Sequence, residues 1–281
     1  MKSLNRLLIF VILLATLSQA KTVYYDDSFR VTDKELSIWL SVDGAELRVR
    51  KNDRDDHCYI AVEYDKDECD VDVRFDNDRQ ELNVNVDHDH SLSDIGDKGD
   101  KLSAKIELAL PHRPFIDFFA NIKAGDLDFV LGDLSIRTFE LKSWAGEVSV
   151  EFDQPNRIEM ENMDVNIKFG EVKLRYLGNA RFKEADINSG IGEMTLDFRG
   201  EYYNRSMARI DLDVGETTIL LPEEIATKLK ISKFMFLSNI HIPSWFEKKG
   251  QYLYSQNYLD TDRSLYLMIS PGIGELDIHI E

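Results

Sequence analysis

The residues with the most chemical promise are acidic, and they recur. Asp126, Glu147, Glu171, Glu193 and Glu216 each stand directly after a glycine: Gly125, Gly146, Gly170, Gly192 and Gly215. Gly274 opens a sixth such stretch near the end of the chain. If the stretches lie side by side as strands, the carboxylates form a column with neighbours about 4.8 Å apart. Coulomb's law then gives about 0.9 kcal/mol of repulsion per neighbouring pair in water. The expectation is that each carboxylate turns out into solvent. The alternative is a column that holds cations or a basic partner.

Other candidates are weaker. Asp87-His88-Asp89-His90 sets four possible metal ligands in a row. On a strand the two histidines share one face and the two aspartates the other, so convergence on one ion needs a loop; an exposed polar turn is expected. Asp94 to Asp100 lacks the oxygen spacing of a calcium loop and reads as a solvated turn. Asn204-Arg205-Ser206 is a glycosylation pattern that matters only on a eukaryotic secretory route. There is no nucleophile elbow, zinc-protease helix motif or phosphate-binding loop. Carboxylates are so frequent that no pair stands out for acid–base work. The sequence therefore predicts no catalytic residue, no cofactor and no resident metal: a non-enzyme.

The elements that must carry the acid column are strands. Successive glycines from Gly125 to Gly215 are 21, 24, 22 and 23 residues apart, a period in the range of stacked repeats. Two residues after each glycine stand Leu127, Val148, Val172, Met194 and Thr217. Four after stand Phe129, Val150, Leu174, Leu196 and Ile219, and six after Leu131, Phe152, Tyr176, Phe198 and Leu221. Five before lie Ala120, Leu141, Val165, Ile187 and Ile210; three before lie Ile122, Ser143, Ile167, Ser189 and Leu212. Residues two apart on a strand share a face, so these columns define an apolar interior. Each repeat reads strand, turn, strand, turn. Coils of about 22 residues with two strands make an all-β solenoid with two facing sheets; an antiparallel sandwich is the competing architecture.

Residues 1–20 read as a signal peptide: Lys2 and Arg6, an apolar run from Leu7 to Leu17, and Ser18-Gln19-Ala20 before Lys21. The run is shorter than the roughly 20 residues a membrane span needs, and no later segment approaches one, so an exported, periplasmic or extracellular protein is expected. Residues 21–110 form an opening β-layer, 111–231 the regular glycine–acid coils, and 232–281 an aromatic insertion with closing strands. Between them, Pro222 to Lys230 permits at most a short helix. Loss of Lys2 and Arg6 takes the net charge from −18 to −20. A chain this acidic repels nucleic acid and anionic lipid and suits cations or basic proteins.

The stretches "DGAELRV", "LNVNV", "KIELALP", "AGDLDFVLGDLSIRT", "SGIGEMTLDFRG", "LDVGETTILLP" and "PGIGELDIHI" resemble the toast-rack β-solenoid domains of bacterial envelope proteins. That family includes proteins labelled putative adhesins and others grouped with cell-wall-active antibiotic response proteins. The resemblance implies a single-stranded right-handed β-solenoid and no chemistry. At Gly44 the apolar residues Leu47 and Val49 fall at an odd offset, so the first coil is expected to be irregular or a cap. Three function classes follow: a non-catalytic envelope module binding an unidentified envelope protein or polysaccharide, an accessory to envelope-stress or cell-wall-antibiotic sensing, and, least favoured, a carbohydrate-active enzyme.

Export favours a disulfide between Cys58 and Cys69. A hairpin that keeps both apolar faces buried instead pairs Tyr64 with Cys69 and Cys58 with Phe75. That register puts the cysteines about 20 Å apart, and two buried free thiols are expected.

Overall fold

The structure is a computed structural model that describes residues 21–88, 102, 104–232, 238–258 and 263–281. The proposed signal peptide, Asp89, His90, the Asp94–Asp100 loop, Phe234 and Phe236 lie outside the described residues. What is described is almost entirely β-strand, hydrogen-bonded into one continuous open sheet. No described helix is long and apolar enough to cross a membrane.

Five long strands form the body: β7 (Phe115–Val130), β8 (Ile136–Glu151), β9 (Met160–Arg175), β10 (Phe182–Asp197) and β11 (Arg205–Leu221). They pair in parallel, glycine opposite glycine from Gly125 through Gly146, Gly170 and Gly192 to Gly215. The chain is thus a β-solenoid rather than a sandwich, because each coil lies parallel on the last. One detail differs from the strand–turn–strand reading. The ladder runs unbroken through each glycine except for one skipped residue just before it, as where Ile122–Ser143 is followed by Ala124–Ala145. The glycine is therefore a bend inside one strand.

The bend explains the switch of parity in the sequence. Before it the buried residues of β7 are Ile116, Phe118, Ala120 and Ile122; after it they are Leu127 and Phe129. Skipping one residue at the corner keeps apolar side chains inward on both limbs. Those limbs face each other: Phe118 on the first meets Phe129 on the second edge-on, with ring centroids 5.8 Å apart. Phe139 of the next coil packs on both. Burial at about 25 cal/mol per Å² of apolar surface, repeated coil after coil, is the main stabilising term. The outermost column is less regular than the sequence suggests. Leu131, Phe152, Phe198 and Leu221 are buried, but Tyr176 turns outward at φ 55°. Leu177, in the single turn of helix α1 (Leu177–Ala180), takes its inward place.

The first coil is regular after all. Strand β2 (Glu35–Lys51) pairs with β7 so that Ala45, not Gly44, stands opposite Gly125. Leu47 and Val49 then fall opposite Leu127 and Phe129, in the same buried columns. The expected irregularity came from aligning on the wrong residue. The corner at Ala45 is made without positive φ, so an alanine fits there.

Coil order in space departs from chain order at both ends. In front of β2 lie β5 (Glu81–His88) on the first limb and β6 (Ala104–Leu110) on the second. Antiparallel strands close them off: β4 (Cys69–Asp76) on β5, and β3 (His57–Asp65) then β1 (Thr22–Arg30) on β6. At the far end β16 (Ser264–Ser270) and β17 (Ile273–Ile280) follow β11 in space. Outside them lie β12 (Ala226–Ile231) and β13 (Ser238–His241). Then β15 (Tyr252–Ser255) and β14 (Phe246–Lys249) add antiparallel on the first limb. Such caps cover parallel edges that would otherwise template further pairing. The stretch that permits at most a short helix forms none: from Ala226 it is strand β12, because Leu229 buries itself beside Leu267 in the ladder.

Both cysteines are buried and neither is in a disulfide, but the hairpin that predicted this does not exist. β3 pairs with β1 and β6 on the second limb, whereas β4 pairs with β5 on the first. The Asp65–Glu68 turn carries the chain between limbs. Cys58 accordingly faces Phe29, and Cys69 faces His88. Burial pushes the Cys58 thiol up to about 12 and the Cys69 thiol to about 11, the latter with help from the nearby Asp65 and Glu68 charges.

Candidate functional site

The glycine corner sets two kinds of residue on the outside of the solenoid. In the position after the glycine, the register aligns Glu46, Asp126, Glu147, Glu171, Glu193, Glu216 and Glu275. The acid column is thus longer than the five members visible from the glycines alone. Glu46 was hidden by the Ala45 substitution in the motif.

Several of its members have a partner within the chain. At the front, Glu46 pairs with Arg48 at 2.7 Å and reaches Lys105 at 3.8 Å. Two residues further along the coils, Arg50 bonds Asp128 at 2.5 Å. Glu171 pairs with Lys173 at 2.5 Å, and Arg175 reaches Glu151 at 3.5 Å. Glu46, Arg48, Asp128, Glu171, Lys173 and Arg175, with Glu147 and Ser149, line an open groove of about 360 Å³. At the back, His241 Nδ1 lies 2.8 Å from Asp277 and 3.3 Å from Glu275. This is a trio with a ligand atom from each within 4.8 Å of the others. Asp126, Glu147, Glu193 and Glu216 make no ion pair with a described residue.

The position before the glycine carries the second feature, which sequence reasoning missed. There the register aligns Gly44, Ala124, Ala145, Phe169, Ile191, Val214 and Ile273. The small residues fall in the first coils and the large apolar ones in the last four. All four large ones are exposed, Ile191 by 51 %. Trp144, two residues before Gly146 and 61 % exposed, lies with its ring 6.0 Å from that of Phe169. An apolar ridge therefore runs along the corner from β8 to β17, beside the acid column. The signal was present in the sequence: an apolar residue directly before Gly170, Gly192, Gly215 and Gly274 breaks the alternation.

The other candidates do not converge. Asp87 and His88 end β5 on opposite faces: Asp87 is exposed and takes a bond from Asn85 at 2.5 Å, while His88 turns towards the interior side near Gly44. Their proposed companions Asp89 and His90 lie outside the described residues. On the outer face of the first limb, Glu140, Asp164 and Asp186 are neighbours in register. Partial burial, and then the Glu140 charge, raise the Asp164 carboxyl above its usual range. Lys142 pairs with Glu140 and Arg209 with Asp186 at 3.2 Å, leaving Asp164 between them. Asn204 bonds Glu159 at 2.9 Å at the surface.

Parallel coils bent at stacked glycines, with a shared interior and antiparallel caps, define this protein as a single-stranded β-solenoid. Residues 16–170 match the model of the N-terminal domain of toast_rack, DUF2154, and the chain belongs to that family. The match stops at the corner of β9, although the columns continue past it. Among solved structures, the chain is similar to a "putative cell adhesion protein" from Clostridium sporogenes at 16 % identity and TM-score 0.45, covering 93 % of this chain and all of that one. A "putative adhesin" from Bacteroides fragilis shows 11 % identity and TM-score 0.30, with 91 % and 97 % covered. A "putative lipid binding protein" from Parabacteroides distasonis shows 11 % identity and TM-score 0.27, with 90 % and 96 % covered. No curated protein matches the sequence. At these identities and TM-scores nothing about function passes from those proteins to this chain.

Proposed function

We propose that this chain is a non-catalytic, exported module of the cell envelope that binds a protein partner along its glycine corner. Export rests on the character of residues 1–20. The binding reading rests on one observation: Phe169, Ile191, Val214 and Ile273 are exposed in a row beside the acid column, in which Glu193 and Glu216 have no described ion-pair partner. A solenoid has no need of apolar residues outside its core, and a run of them along one edge marks an interaction surface. A glycan fits it less well, since three of the ridge residues are β-branched aliphatics with no ring face for a sugar to stack on.

A photo-reactive amino acid placed at Ile191, in the cells that make the protein, tests this. Irradiation is expected to give a discrete, protease-sensitive adduct. The same residue placed at Asp211, on the outer face of the first limb, is expected to give none. Adducts from Asp211 but not Ile191, or from neither, would overturn the reading.

A further inference from the structure

We infer that the corner seats a basic amphipathic α-helix of the partner, laid along the solenoid axis. This rests on the reading of the corner as a protein-binding edge and adds the shape and charge of the occupant. The apolar ridge crosses five coils, from Trp144 on β8 to Ile273 on β17. Parallel coils are spaced about 4.8 Å apart, so the ridge is about 19 Å long. An α-helix repeats every 5.4 Å along its axis and covers that length in about 13 residues. Its apolar stripe stays within a few ångströms of the coil repeat over the whole ridge. An extended strand laid the same way presents same-face side chains every 6.6 Å or so and falls out of step by nearly 2 Å at each coil.

Charge settles what else the occupant carries. Glu147, Glu193 and Glu216 flank the ridge on one side and have no described ion-pair partner, whereas Glu171 between them is paired with Lys173 and Glu46 at the front with Arg48. Lysines or arginines on one flank of the helix would meet them. A second copy of this chain would set acid column against acid column, and an anionic lipid surface would be repelled by the net charge of −18.

The test uses two designed 18-residue peptides of identical composition, leucine and lysine, carrying a fluorescent label. In one the leucines recur at helical spacing with lysines along one flank; in the other leucine and lysine alternate. Binding to the full chain is followed by anisotropy. The helical peptide is expected to bind at least tenfold tighter than the alternating one and to gain helicity on binding. The affinity is expected to fall at least tenfold between 50 and 500 mM salt, because the flank is exposed to screening. Ile191→Asp and, separately, Val214→Asp are expected to weaken binding at least tenfold while leaving the circular dichroism unchanged. Equal or tighter binding of the alternating peptide would overturn the helix while leaving the corner as an interface. Binding indifferent to both Asp variants, or no binding of either peptide, would overturn the seat itself. Failure of the Ile191 cross-link would instead remove the protein-binding reading beneath it.

Discussion

Replacing Gly192 by alanine is expected to remove a large share of the stability of the solenoid. A Cβ there would sit 1.8 Å from the carbonyl oxygen of Gly170 and 2.8 Å from its carbon, both backbone atoms of the coil below. Backbone cannot swing aside as a flexible side chain would. The residue also lies at φ 149°, which non-glycine residues adopt only with strain of about 1–3 kcal/mol. Relieving the overlap means pushing two coils apart and losing buried backbone hydrogen bonds at about 1–3 kcal/mol each. The sum is about 4 kcal/mol or more, against a total of about 5–15 kcal/mol for a native domain. A fall in melting temperature of the order of 10 °C, or loss of soluble protein, should follow. Gly44→Ala is the control. Its Cβ would meet the His88 ring at 3.5 Å and the Ala124 carbonyl oxygen at 3.7 Å, both ordinary contacts, and the melting curve should hardly move.

Leu196→Ala is expected to cost about 2–5 kcal/mol, the range for a leucine emptied from a packed interior. Leu196 is fully buried and stands opposite Leu174 below and Ile219 above, in a column apolar through every body coil. The neighbouring coils are held by their own ladders and cannot close the cavity. Thr195, one residue earlier, points out of the same strand. Thr195→Ala should cost under about 0.5 kcal/mol. Thermal or urea unfolding of the pair checks this; equal shifts would mean that the faces are misassigned.

The body of the fold was legible because its determinants are local. An apolar residue every second position, a glycine at the bend and a fixed period are all written within about 22 residues. The ends were not. Which strand lies beside β2, or that β16 and β17 wedge between β11 and the β12/β13 pair, depends on edges meeting across about 36 residues or more. No spacing encodes that. The cysteines show the same limit: they form no disulfide, as expected, but the pairing offered for it was wrong, since β3 and β4 belong to different limbs. The corner was half legible. The acids announced themselves by following glycines, and the structure then divided them. Glu171 is paired with Lys173, so any repulsion within the column is to be sought between Asp126 and Glu147 and between Glu193 and Glu216 instead. The apolar ridge passed unnoticed because one exposed apolar residue per coil looks ordinary until the coils are stacked.

Stack and ridge alike depend on the coils lying glycine on glycine, and a designed disulfide reads that register directly. Glu193 and Glu216 are direct neighbours across β10 and β11, and the inter-strand spacing of about 4.8 Å lies within the span a disulfide bridges. Glu193→Cys combined with Glu216→Cys is expected to oxidise readily to an internal bridge, visible by mass spectrometry, while Cys58 and Cys69 stay reduced in the core. Glu193→Cys with Thr218→Cys, two residues out of register, should leave its thiols free. A bridge in the second pair and none in the first would contradict the stacked corner.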